Sequence, residues 1–190
     1  MKLLEDKILT EGKILPGDIL KVDGFLNHQM DVDFLDKLAC EIYEQFKNRG
    51  INKILTIEAS GIGLACLTAR FFHCKVLAAK KNRTLNISDD VYSSSAFSYT
   101  HKKENAVLVS KEYICDKDVV LIVDDFLASG NACLALYDIA RQSGASVAGV
   151  ACAVEKTYQG GRALLEQKGI KVVSLAKIGE MSDGKITFSD

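Results

Sequence analysis

Two adjacent carboxylates, Asp124 and Asp125, follow directly on the apolar run Val119-Val120-Leu121-Ile122-Val123 and are followed by Phe126-Leu127-Ala128-Ser129-Gly130-Asn131-Ala132. Paired carboxylates can hold neighbouring hydroxyls and favour positive charge developing beside them. Ser129-Gly130-Asn131 stands just before a helical pattern, so its backbone N–H groups open at a helix N-terminus, where phosphate is favoured by hydrogen bonding and by the helix dipole. An acid pair joined to a phosphate cradle fits a sugar phosphate held by one loop. Taken singly, an Asp-Asp pair also serves as a turn or helix cap, and a lone Ser-Gly-Asn carries little weight. The specific signal is the joined order of buried strand, acid pair, small residues and helix.

Other polar groups fall at comparable places. Glu58-Ala59-Ser60-Gly61-Ile62-Gly63 lies between a strand and a helix, and its small residues let backbone N–H groups approach an anion closely. A tight strand–helix turn explains the same residues. Lys80 and Lys81 close the next strand, where a cation could neutralise a departing anion; two solvated surface lysines are the plainer reading. Lys156 follows a further buried strand and is expected to aim at the same crevice as Asp124.

These positions require an ordered alternation of strands and helices. An apolar run bounded by turn signals reads as a strand buried on both faces. In open α/β sheets, ligands sit beyond the carboxyl ends of such strands. From Asp31, the residues Val32, Leu35, Leu38, Ala39, Ile42, Tyr43 and Phe46 share one helical face, with Asp31 or Asp33 as cap and Gly50 past the end. Strands are predicted at 53–58, 75–79, 119–123, 147–154 and 170–175, and helices near 62–72, 131–143 and 161–168. The alternation implies an α/β fold with a mostly parallel central sheet. Residues 82–105 are polar and hydroxyl-rich and read as a functional lid or a disordered segment, with a floppy hairpin of no role as the plainer alternative. A hairpin-like stretch is expected over 106–115, and the tail 176–190 reads as polar.

The chain has 190 residues, 48% hydrophobic and 26% charged, which suits one domain. A formal net charge of −1 leaves no electrostatic footprint for nucleic acid or an anionic membrane. No apolar run approaches a membrane span, and residues 1–7 lack a signal peptide's apolar core, so a cytoplasmic protein is expected. The six cysteines, Cys40, Cys66, Cys74, Cys115, Cys133 and Cys152, form no CxxC pair and read as buried free thiols. His28, His73 and His101 show no metal-ligand spacing.

The run from Val119 to Ala132 closely resembles the 5-phosphoribosyl-1-pyrophosphate (PRPP) motif of type I phosphoribosyltransferases. The resemblance extends over essentially the whole chain. It implies a single domain over 1–190, with a core over about 31–175, a hood formed mainly by 1–30 with the C-terminal tail, and a flexible lid over about 82–105. It implies that Asp124 and Asp125 hold the ribose hydroxyls and serve catalysis. Ala128, Ser129, Gly130, Asn131 and Ala132 would wrap the 5-phosphate, and Ala59, Ser60 and Gly61 with Lys80 or Lys81 would bind pyrophosphate. Mg²⁺ would arrive with PRPP, and a homodimer is common in the family.

Two departures stand out. A threonine is usual where this chain has Ala132. Hypoxanthine–guanine members carry an aspartate at Ala128 that handles the purine N7 proton, so its absence argues against that subgroup. The Glu155-Lys156 segment and the run Ile19–Gln29 resemble the base-reading strand end and hood of xanthine-using members, with Leu20, Asn27 and Lys156 at base-contacting positions. An ammonium at Lys156 suits an oxopurine acceptor. The resemblance thus points to transfer of phosphoribosyl from PRPP to xanthine. Another purine as acceptor, or a PRPP-sensing regulator without turnover, are the alternatives.

Overall fold

The apolar runs form the centre of a twisted sheet. The computed structural model describes residues 1–17, 19–81, 90–98, 103–182 and 184–189. In chain order the elements are α1 (Lys2–Glu11), β1 (Lys13–Leu15), β2 (Ile19–Lys21), α2 (Val32–Phe46), β3 (Lys53–Ile57), α3 (Ile62–Phe72), β4 (Lys75–Lys81), β5 (Val91–Ser98) and β6 (Lys103–Ser110). After them come β7 (Val119–Leu127), α4 (Asn131–Gln142), β8 (Ser146–Lys156), α5 (Gly161–Glu166), β9 (Val172–Ser182) and β10 (Lys185–Phe188). Eight strands form one sheet in the order β10-β9-β8-β7-β3-β4-β6-β5, and β1 and β2 form a separate ribbon. The five strands from β9 to β4 run parallel. The expected α/β fold with a mostly parallel sheet is therefore present.

Strand order reverses between β3, whose successor β4 lies on one side, and β7 on the other. This is the switch point at which an open α/β sheet leaves a crevice beyond its strand ends. Helices α2 and α3 cover one face, together with Leu4 and Ile8 of α1, while α4 and Leu165 of α5 cover the other. At the start of α2 the Asp31 carboxylate accepts from Phe34 N at 3.1 Å and from Lys7 Nζ at 3.0 Å. That cap fastens α2 to α1, and the Lys7 ammonium, seconded by the Phe34 N–H, holds the Asp31 carboxyl below its usual range.

Several expectations change. Helix α1 escapes the hydrophobic pattern because only Leu4 and Ile8 of its ten residues are buried. Within the 82–105 segment, 91–98 and 103–105 belong to a β-hairpin, Val91 pairing with Ser110 and Ser98 with Lys103. Its hydroxyl-rich strand is the sheet edge, where one side needs no apolar cover. Residues 82–89 and 99–102 lie outside the described residues. The polar tail is also strand: β9 runs on to Ser182, burying Ala176, Ile178 and Met181, and β10 pairs back on it. Cys133 and Cys152 are buried free thiols, but Cys40, Cys66 and Cys115 are exposed, and Cys74 is half-buried. Among the described residues, no helix is long and apolar enough to cross a membrane.

Candidate active site

The acid pair lies inside β7 rather than beyond it. Asp124 pairs in register with Cys152, and the strand continues to Leu127 opposite Glu155. Both carboxylates are nonetheless at the crevice, each 6% exposed. Asp125 is the hub. Its Oδ2 accepts from Asn27 Nδ2 at 2.7 Å and its Oδ1 from Ser60 Oγ at 2.9 Å. Three sequence segments predicted to share a site, the hood, the loop after β3 and the β7 motif, thus meet at one carboxylate. Asp124 turns its Oδ1 back to accept from Asp125 N at 3.0 Å. Burial, and next to it the Asp125 charge, push the Asp124 carboxyl well above the usual carboxylate range.

The loop from Glu58 to Gly61 is fixed from both ends. The Glu58–Ala59 peptide is cis. The Glu58 carboxylate accepts from Lys80 Nζ at 3.0 Å and from Lys81 N at 2.6 Å. Burial raises the Glu58 pKa, but those two donors outweigh it and hold the carboxyl below its usual range. Lys80 is therefore engaged with Glu58, whereas the Lys81 ammonium makes no ion pair among the described residues. At Gly61 a Cβ would sit 2.6 Å from Thr56 Oγ1 and 2.7 Å from Asp124 Oδ1, so only glycine lets the loop lie this close to β7. Sequence reasoning picked out Ala59, Ser60 and Gly61 but missed Glu58 as their anchor.

The loop Ala128–Ala132 curls into α4 through Gly130, whose φ of +81° lies in the left-handed region that favours glycine. It is braced from outside by Gly161 at the start of α5, whose N–H donates to Ala128 O at 3.1 Å. Neither the brace nor the residue behind it was legible as a pair in the sequence. Ala132 and Asn131 are half-buried at the first turn of α4.

The base-reading candidates are dispersed more widely. Asn27 sits in the turn-rich hood segment, against Asp125. Leu20 is 7% exposed, within the hydrophobic cluster that also holds Phe25 and Leu26. Lys156 ends β8, half-buried, four residues beyond the Cys152 position that faces Asp124 in register. Its neighbour Glu155, 1% exposed, is instead claimed by Arg162, which meets it through Nε at 2.9 Å and Nη2 at 2.6 Å.

A buried acid pair thus lies at the switch point of the sheet, met by Ser60 of the loop after β3 and by Asn27 of the N-terminal segment, with the glycine-containing loop into α4 following on the same strand. Residues 22–182 match the phosphoribosyl transferase domain, and the chain belongs to that family. It is 51% identical to xanthine phosphoribosyltransferase 2 of Clostridium botulinum over 189 residues, covering 99% of this chain and 100% of that protein. It is 48% identical to the xanthine phosphoribosyltransferase of Ruminiclostridium cellulolyticum over 190 residues, the whole of both chains. Among solved structures, adenine phosphoribosyltransferase of Giardia lamblia, complexed with 9-deazaadenine, superposes with a TM-score of 0.79 at 21% identity, covering 93% of this chain and 98% of that one. The enzyme from Rhodothermus marinus gives 0.77 at 23% identity, covering 93% and 99%. At those identities the structures show the shared fold.

Proposed function

We infer that this chain transfers the 5-phosphoribosyl group of PRPP to xanthine, giving xanthosine 5′-monophosphate and pyrophosphate. The observation that carries the reading is the convergence of Asn27, Ser60 and Asp125, which joins a base-reading hood to both loops of a PRPP site. Full-length identity to xanthine phosphoribosyltransferases supports xanthine as the acceptor.

PRPP enters as its Mg²⁺ complex, the cation being held mainly by substrate oxygens. The backbone of Ala128–Ala132 receives the 5-phosphate at the N-terminus of α4, with Ser129 Oγ as a further donor. Ala59–Gly61 and the Lys81 ammonium receive the pyrophosphate. Asp124 and Asp125 take the ribose hydroxyls, which requires Asn27 and Ser60 to yield at least part of their hold on Asp125. A base nitrogen then forms a bond to the anomeric carbon while the bond from that carbon to the pyrophosphate oxygen breaks and the electron pair leaves with pyrophosphate. The carboxylates favour the positive charge on the sugar ring between those events. Xanthine's acidity lets its proton leave to solvent, which makes the Ala128 position tolerable without a carboxylate. Asn27 and Lys156 read the base from the hood and from the end of β8. A cytoplasmic location fits the free cysteines. A homodimer is the expected assembly, and Leu9, Leu15, Ile19, Met30 and Val32 are exposed apolar side chains of the N-terminal segment.

Xanthosine monophosphate and pyrophosphate should appear in equal amounts from PRPP and xanthine, and chelation of Mg²⁺ with EDTA should stop both. PRPP bound without turnover would instead mark a sensor. Asn27→Ala should raise the KM for xanthine by about tenfold, the scale of losing one hydrogen bond between its amide and the base. Steady-state kinetics with xanthine varied at saturating PRPP check this. Gly161→Ala puts a Cβ 2.3 Å from Ala128 O and 2.7 Å from Gly130 N, both backbone atoms of the phosphate loop. The loop must shift, and the KM for PRPP should rise by about tenfold, a typical overpacking penalty, with the KM for xanthine little changed.

A further inference from the structure

Thr56 is a hydroxyl that the reaction outlined above does not use. It stands on β3, 0% exposed, and its Oγ1 is the buried side-chain polar atom without a hydrogen-bond partner among the described residues. A buried, unmade hydroxyl bond destabilises a fold, and valine would fill the same space without that penalty. The orphan is not placed at random. Thr56 Oγ1 and Asp124 Oδ1 flank one point, the missing Cβ of Gly61, at 2.6 and 2.7 Å. The hydroxyl therefore lies beneath the pyrophosphate loop and beside the carboxylate assigned to the ribose, separated from it only by the gap that glycine leaves open. Asp124 Oδ1 meanwhile folds back on Asp125 N.

We propose that Thr56 is a positioning residue of the PRPP site, whose hydroxyl donates to the Asp124 carboxylate once PRPP draws that side chain away from Asp125 N and so holds it in the orientation that receives the ribose hydroxyl. The proposal rests on the PRPP-site reading but not on the identity of the base. The orphaned donor is the form of the site before substrate, and the bond is made only in the loaded form. Thr56 acts through Asp124 and touches no reacting atom.

The test compares wild type, Thr56→Val and Thr56→Ser. Thr56→Val keeps the β-branched shape and should melt at the same temperature as wild type or higher. Its kcat/KM for PRPP should fall by about tenfold or more, the effect of losing a hydrogen bond to a charged group, while the KM for xanthine at saturating PRPP stays within about twofold. Thr56→Ser restores the hydroxyl and should recover most of kcat/KM for PRPP. Calorimetric titration of Mg²⁺·PRPP without any base gives a second readout: weaker binding to Thr56→Val than to wild type supports the proposal even if xanthine proves not to be the acceptor. Unchanged PRPP kinetics and binding in Thr56→Val would overturn it and leave the hydroxyl as a tolerated defect of the core. A Thr56→Ser variant as impaired as Thr56→Val would also overturn it, because restoring the hydroxyl would then not restore function. Wild type that fails to bind PRPP would overturn the site reading together with the proposal.

Discussion

Asp124→Asn should abolish transfer and at the same time stabilise the unliganded protein. The carboxyl is buried next to Asp125 and is held well above its usual range, by burial first and the neighbouring charge second. A carboxyl with a raised folded pKa adds stability that is fully present below its unfolded value and is lost as pH rises through the folded one. Above the unfolded carboxylate range the fold therefore bears the cost of burying the Asp124 charge or of taking up a proton, and asparagine carries neither. Asparagine keeps the shape and can still accept from Asp125 N. The melting temperature should rise by about 3 °C, which corresponds to roughly 1 kcal/mol for a chain of this size. That advantage should shrink as the pH falls toward the ordinary carboxylate value and vanish only below about pH 3, where the wild-type carboxyl is protonated in folded and unfolded chains alike. Activity should fall by about 10²–10³-fold, the scale of losing one preorganised electrostatic group. Differential scanning calorimetry across pH and initial rates at saturating PRPP measure the two effects separately. A variant both less stable and only slightly less active would place Asp124 in the fold rather than in the reaction.

Arg162→Met should be the most destabilising of the substitutions considered. The Glu155 carboxylate is 1% exposed at the end of β8 and accepts from the Arg162 guanidinium, which also donates to Val172 O at 3.1 Å and Ser174 Oγ at 3.3 Å. Methionine fills much of the same space but leaves Glu155 as a buried, unpaired charge. Breaking such a pair from one side costs about 3–5 kcal/mol, so the melting temperature should drop by roughly 10 °C. The double variant Glu155→Leu, Arg162→Met removes both charges and should recover most of the loss. Urea midpoints for the single and double variants give the coupling. A single variant within about 0.5 kcal/mol of wild type would mean that Glu155 takes another partner or a proton at little cost.

Those two residues also mark where the sequence could and could not be read. Asp124 was legible because its chemistry is local: five apolar residues before it and a Ser-Gly turn after it define a strand end and a phosphate loop without reference to the rest of the chain. The same holds for Ala59-Ser60-Gly61 and for the Asp31 cap. Arg162 was not legible, since its partner lies seven residues away across a turn whose path depends on the left-handed Gly160. Pairing of Lys80 with Glu58 was hidden for the same reason: 22 residues separate them, and only the parallel register of β3 and β4 brings them together. Edge strands failed differently. β5 and β10 need few apolar residues because one side and one edge face solvent, so Tyr92-Ser93-Ser94-Ser95 read as part of a lid and the tail read only as polar. The strand end of β7 was misjudged because carboxylates lower strand propensity, whereas Asp124 is kept in register by Cys152 of β8.

The decisive measurement is a competition in one tube: equal concentrations of xanthine, guanine, hypoxanthine and adenine, limiting PRPP with Mg²⁺, and chromatographic identification of the nucleotides formed. Xanthosine 5′-monophosphate should dominate the products, with pyrophosphate released in equal amount. Predominance of another nucleotide would keep the PRPP site and contradict the assignment of Asn27 and Lys156 to xanthine, and release of pyrophosphate with no nucleotide would contradict transfer itself.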